Sequence, residues 1–373
     1  MNEKLKKIMM ISVAGFAVLF VILFALVACQ GKQHITYEKL REKMEKVAKE
    51  YFESHEDALP TEDKETSEYT LKEMISAGKI DPLEDLLEEG SPKCDGEVTV
   101  TNNNGYYLYT TNLECGDKYS ITLLKDKIID ENLVDVGNGL YESENEYYFR
   151  GDKVNNWVKF NDELWRIVSI DEDGSIKMVQ NRNVEHYSTW DKHYNAEIND
   201  TGINTYYDTV KQVGSNIKES LDEYYKKEKY IKAKNKPYIA TQTLCVGKRS
   251  PEDTTKDGKA ECSVVLEKQN LGLLTVYEML RTSLDDGCNS ARSKECKNYN
   301  WAFKLSSSTW LATALTTKPN YAYSFYRDID ETRTEIELSV LVTVKIDPKV
   351  EYTEGTGAKE DPYIIGENEK EDK

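Results

Sequence analysis

The chain has 373 residues, with 67 Asp and Glu against 49 Lys and Arg, a formal net charge of −18. So acidic a surface repels nucleic acid and anionic lipid, which excludes the partners a basic face would take. With four His, no H-E-x-x-H, no Gly-rich phosphate loop and no G-x-S-x-G, the common metalloprotease, nucleotide and hydrolase motifs are absent. The first predicted element is residues 8–28 (IMMISVAGFAVLFVILFALVA), which carry no charge. At about 1.5 Å per residue this run makes a helix of roughly 30 Å, enough to cross a bilayer. Lys4, Lys6 and Lys7 precede it, so the positive-inside rule puts the N-terminus in the cytoplasm and the rest outside.

The apolar run ends Leu26-Val27-Ala28-Cys29, a match to the lipobox, in which a small residue precedes a Cys that is lipidated and becomes the new N-terminus. The run is also longer than the usual signal-peptide core, which suits an uncleaved helix. Both alternatives stay open, and both tether the chain to the outer face of the membrane. Gly15-Phe16 resembles a prepilin cleavage site, but Phe20 stands where a Glu would align pilus subunits. Residues 1–33 are therefore expected to be the anchor.

Residues 35–53 read as a helix, with Ile35, Leu40, Met44, Val47, Ala48, Tyr51 and Phe52 on one stripe. An acidic loop with Pro60 covers 54–69. Thr70-Leu71-Lys72-Glu73 is a capping box ending near Gly78, and Pro82 opens a second short helix ending at Gly90. Strands are expected at Glu97–Thr101, Tyr106–Thr110 and Lys118–Leu124, with Asn102–Gly105 as a turn. Residues 34–128 thus form a small domain of helices and antiparallel sheet. A connection over 125–150 leads into a larger, antiparallel β-rich domain, 137–366, with a few helices. Its clearest signal is residues 155–179 (NNWVKFNDELWRIVSIDEDGSIKMV), three strands with Asn161-Asp162 and Asp173-Gly174 at the turns. A helix over 205–230, a strand at Pro237–Leu244, a capping box at Thr275–Glu278 and strands at Tyr321–Tyr326 and Leu338–Ile346 follow. The charged tail 367–373 reads as disordered. The fold class is α+β.

Seven Cys is an odd number for an exported chain, and lipidating Cys29 leaves six. Six Cys allow fifteen connectivities, of which the sequence-local one is expected: Cys94 with Cys115, Cys245 with Cys262, and Cys288 with Cys296. Export makes disulfides the default, and each pair brackets a hairpin or loop. No C-x-x-C spacing and no nearby His point to zinc, and no cofactor is expected. His186 and His193 flank Trp190 in a polar stretch and read as exposed loop side chains. Asp171, Asp173 and Gly174 read as the hairpin turn rather than a calcium loop, because Lys177 and Met178 return to strand. Carboxylates are abundant, but nothing singles out a catalytic pair. Of the 25 Tyr and 5 Trp, Trp165 is expected in the core. Trp310, Tyr321 and Tyr323 are the candidates for stacking on a sugar.

Gly139-Leu140-Tyr141, Tyr148–Gly151 and Asn155–Val179 resemble an extracytoplasmic domain family of low-GC Gram-positive bacteria whose hallmark is NNYVKFNGELWRIISIDGDGTIK. Gly272–Glu278, Trp310–Thr313, Gly355–Gly357 and Asp361–Ile365 extend the resemblance in the same order. Residues 35–124 are similar to the pseudopilin-like segment that often precedes the domain. The closing pattern distantly resembles C-type-lectin-like and formylglycine-generating-enzyme-like folds. Leu338-Ser339-Val340 departs from it by lacking the family's Arg, and no calcium-dependent sugar motif is present.

The family carries no assigned activity to transfer. Export, three expected disulfides, the lack of a catalytic constellation and the lectin-like outline point to a non-catalytic, membrane-tethered extracellular protein that recognises a glycan, a cell-wall polymer or a protein. Two other functions fit the sequence: a pseudopilin-like component of a surface or secretion assembly, and an enzyme acting on envelope polymers. Partners are the membrane, through the N-terminus, and the extracellular ligand, with no nucleic acid.

Overall fold

The computed structural model describes residues 34–87, 93–144, 146–182, 185–192, 205–208 and 213–366. The chain is α+β, mostly antiparallel sheet with few helices. The expected membrane helix 8–28, Cys29, Gly90, His193 and the tail 367–373 lie outside the described residues. Among the described residues no helix is long and apolar enough to cross a membrane. The chain divides into two compact units. The first groups residues up to Asp57 with Glu68–Thr99 and Thr111–Ser120; the second groups Ala58–Ser67, Val100–Thr110 and Ile121 onward.

In the first unit, α1 (Tyr37–Ser54) begins where the Thr36 hydroxyl accepts the Lys39 N–H, and it buries Leu40, Met44, Val47, Ala48 and Phe52. Its Tyr51 stacks on Tyr69 at 4.3 Å. β1 (Thr66–Thr70) replaces the expected loop. The Glu65 carboxylate caps the Thr61 and Glu62 N–H groups, closing a turn that returns the chain as a strand. The Thr70 capping box forms as expected and starts α2 (Leu71–Ser76). α3 (Leu83–Leu86) follows Pro82. β2 (Asp95–Asn103) and β3 (Tyr106–Glu114) pair in the order β1-β2-β3, of which residues 68–70, 95–99 and 111–114 belong to this unit. Cys94 and Cys115 form a disulfide across the end of this sheet. The strand expected at Lys118–Leu124 is absent: the Cys115 N–H bonds the Tyr119 carbonyl at 2.8 Å, which turns the chain back on itself.

In the second unit, residues 125–150 are not a bare connection. They hold α4 (Leu124–Asn132) and the hairpin of β4 (Gly139–Ser143) and β5 (Glu146–Arg150), whose facing Leu140 and Phe149 are fully buried. β6 (Trp157–Phe160), β7 (Glu163–Ile170) and β8 (Ile176–Gln180) form the expected meander. Asn161 and Asp162 both take positive φ, as a two-residue hairpin turn of this hand requires. β9 (Tyr187–Thr189), β10 (Tyr207–Asp208) and β11 (Val213–Gly214) lead to α5 (Asn216–Lys226). This helix is shorter than the pattern over 205–230 suggested, because the Ser215 hydroxyl caps it at Lys218 N. β12 (Ile239–Ala240), β13 (Gln242–Cys245), β14 (Lys248–Arg249) and β15 (Val265–Gln269) precede α6 (Val276–Arg281), which opens on the expected Thr275 capping box. The single strand expected at Pro237–Leu244 is divided, since Pro237 sits in a 3-10 turn.

The last strands are β16 (Thr309–Leu315), β17 (Tyr321–Tyr326), β18 (Asp328–Arg333), β19 (Glu337–Ser339), β20 (Thr343–Ile346) and β21 (Tyr363–Ile364). The main sheet runs β12-β20-β8-β7-β5-β4, with β6 joining β7 to β21. A second sheet runs β14-β16-β17-β18. Trp165, Trp190, Trp301 and Trp310 are the largest side chains in the core. Disulfides Cys245–Cys262 and Cys288–Cys296 tie down two loops, in the sequence-local pairing.

Candidate functional site

A cleft of about 700 Å³ opens on the second unit, and strand alternation builds its floor. On β8, Ile176 and Met178 point into the core, so Lys177 between them faces the other way. Register then sets Ser169 of β7 and Lys345 of β20 on either side of it. Lys345 pairs with Asp171.

One wall is α6. Its capping box fixes Glu278: Oε2 accepts the Thr275 N–H at 2.8 Å and the Thr275 hydroxyl at 3.1 Å. Oε1 accepts Lys177 Nζ at 2.5 Å. Three residues on, Arg281 lies over the rings of Tyr148 and Tyr277, at 4.7 and 4.8 Å, and pairs with Glu146. Glu146 and Tyr148 are two apart on β5, so both face α6. The opposite wall is the Cys245–Cys262 loop, with Lys256, Asp257 and Lys259. Buried Arg249 holds that loop by a double contact with Glu261, at 3.0 and 3.2 Å, and Glu261 also accepts the Tyr277 N–H. Gly258 packs so close to Tyr277 that a Cβ would sit 3.0 Å from its ring.

Burial works against ionising Glu278, but the Lys177 ammonium and the Arg281 guanidinium outweigh it and hold the carboxyl below the usual range. Burial raises the Glu261 carboxyl and the Tyr277 hydroxyl, each opposed by a neighbouring arginine. The cleft is therefore lined by donors and acceptors fixed by their mutual contacts. Each ion pair presents a donor and an acceptor a few ångströms apart. Among the described residues, no group of three or more His, Cys, Asp or Glu is placed to hold a metal ion.

The aromatic candidates lie elsewhere. Trp310 on β16 is wholly buried and donates Nε1–H to the Ser188 carbonyl at 2.9 Å. Tyr323 on β17 is 1% exposed, with its hydroxyl 3.4 Å from the Arg249 carbonyl. Neither ring has a face open to a ligand, because the second sheet packs both inward. Tyr321 is half-buried, with Lys318 over its ring at 4.6 Å. His186 is not an exposed loop side chain either: it is buried, 2.7 Å from the Ser220 hydroxyl and 4.6 Å from the Tyr224 ring. Sequence reasoning found the Thr275 capping box but missed what its Glu278 meets. The available signal was Lys177, a charge between two apolar strand residues.

No family model matches the chain. Searches of curated protein sequences and of solved structures return no match.

Proposed function

We propose that the chain is a membrane-tethered extracellular binding protein, non-catalytic, whose larger unit recognises a glycan or cell-wall polymer in the cleft at Lys177. The observation that carries this reading is the ion-pair row Lys345–Asp171, Lys177–Glu278 and Arg281–Glu146, which runs from the cleft floor to its α6 wall beside Tyr277. Fixed charges beside an aromatic ring suit a hydroxyl-rich ligand. The three disulfides and the apolar run 8–28 support export and tethering, with Cys29 either lipidated or part of an uncleaved helix. The motifs at Asn155–Val179 and Gly272–Glu278 support a place in the extracytoplasmic domain family. The test is a panel of peptidoglycan, teichoic acid and host glycans presented to the full-length chain in detergent. Saturable binding weakened about tenfold by Tyr277→Ala, the equivalent of about 1.4 kcal/mol, is expected. A flat panel, or binding indifferent to Tyr277→Ala, contradicts the reading.

A second reading, a pseudopilin-like component of a surface assembly, is favoured by the amphipathic helix α1 of the first unit, which buries one apolar stripe. Cross-linking in native membranes would then capture α1 against copies of itself, and monomers alone would exclude it.

A further inference from the structure

Arg166 on β7 stands directly across from Trp157 on β6 and is only 4% exposed. A guanidinium so buried is ordinarily held by a carboxylate, since an unpaired charge taken out of water is costly. Among the described residues none lies within ion-pair distance of it. Its one hydrogen bond, from Nε to Asn156 Oδ1 at 2.6 Å, goes to a neutral amide. That amide is locked in turn, with Nδ2 donating to the Ile167 carbonyl at 2.7 Å. The guanidinium lies 4.0 Å from the Trp157 ring centroid and 5.0 Å from that of Trp301, which offsets part of its desolvation but none of its charge. Burial pushes it down to about 9, which leaves it cationic near pH 7.

The same guanidinium lines a cavity of about 430 Å³, and its Nη groups have no acceptor among the described residues. Lys359 reaches this cavity and lies 5.5 Å from the Trp157 centroid. Its loop is fixed there by the Trp157 N–H, which donates to the Gly357 carbonyl at 2.9 Å. Lys153 and Lys304 add two more cations, against the carboxylates of Asp152 and Glu360. Lys304 already pairs with Asp152 at 3.0 Å. The lining is thus net positive in a chain of net charge −18.

We infer that this cavity binds an anion with planar or delocalised oxygens, a carboxylate or phosphate group, with Arg166 as the buried fork and Lys359 as the outer cation. The fork geometry of a guanidinium suits two-point contact with such a group, and a purely structural side chain here would not need a charge. The site shares no lining residue with the cleft at Lys177, so it stands whatever that cleft binds.

Calorimetric titration of the full-length chain at low salt tests this, with glucuronate, inorganic phosphate and neutral glucose as probes. Glucuronate or phosphate should bind saturably and glucose should not, and the stronger of the two identifies the source of the anion. Arg166→Met should weaken binding by about tenfold or more and Lys359→Gln by about threefold. No heat from either anion, or equal affinity in both variants, overturns the inference. Should Arg166→Met fail to fold, the exposed Lys359→Gln decides: unchanged affinity overturns the inference and weakened affinity supports it.

Discussion

Replacing Lys177 by Met removes the cation beneath Glu278 while keeping an unbranched apolar stem of similar length. The two side chains are 12% and 8% exposed. Removing one partner of a buried pair leaves the other charge uncompensated, at a cost of about 3–5 kcal/mol. Here Glu278 keeps the Thr275 N–H and hydroxyl, and it keeps the field of Arg281. The low end therefore applies, about 3 kcal/mol, or roughly 6–12 °C in Tm. The pH dependence also changes sign. In the native chain Glu278 titrates below its unfolded value of about 4.3, so its contribution is full above that pH and is lost as pH falls through the folded value. Without Lys177, burial dominates and the folded pKa rises above the unfolded one. The contribution is then present below about pH 4.3 and lost as pH rises, so the deficit narrows on acidification. Urea unfolding followed by tryptophan fluorescence is the assay, since all five Trp (157, 165, 190, 301 and 310) lie in the second unit. A loss below about 1 kcal/mol near pH 7, or a deficit that does not shrink toward pH 4.5, refutes the reasoning.

Burial, with a smaller push from Lys227, takes the His186 pKa from 6.5 down to about 4. The unfolded chain binds that proton first, so stability is full above about pH 6.5 and falls by roughly 3 kcal/mol as pH drops to 4. His186→Phe should flatten the pH 7 to 5 part of the urea titration, and an unchanged slope there would contradict the burial. Converting Cys245 and Cys262 together to Ser opens a 17-residue separation and should cost about 3 kcal/mol in the same assay. It should also weaken ligand binding, because the bridge holds one wall of the cleft; a variant as stable and as active in binding as the native chain would refute this. Gly357 has φ +71, and a Cβ there would lie 2.4 Å from the Asn155 carbonyl oxygen. Gly357→Ala should therefore cost about 1–3 kcal/mol by thermal unfolding, whereas an unshifted midpoint would mean that the loop yields freely.

What was legible in the sequence was local chemistry. The Thr70 and Thr275 capping boxes, the Asn161-Asp162 turn and the stripe of α1 each depend on residues a few positions apart, and each formed. The sequence-local disulfides follow the same logic, since each closes a short loop. What was missed depends on distant partners. β4 and β5 are short, and their core pair Leu140–Phe149 shows only once the strands face each other. The 205–230 pattern kept its apolar spacing across Gly214-Ser215, where a cap outweighs periodicity. Trp310 and Tyr323 stood as candidates for a ligand because no local pattern says which ring the second sheet buries. The cleft floor joins Lys177 to Glu278 across 101 residues, a distance no local pattern spans.

The most direct test of the central claim is hydrogen–deuterium exchange of the full-length chain with and without the strongest glycan from the panel. Binding in the cleft predicts new protection at residues 169–177, 256–261 and 275–281. Protection confined to Tyr321–Tyr326, or to the first unit, would place recognition elsewhere and contradict the claim.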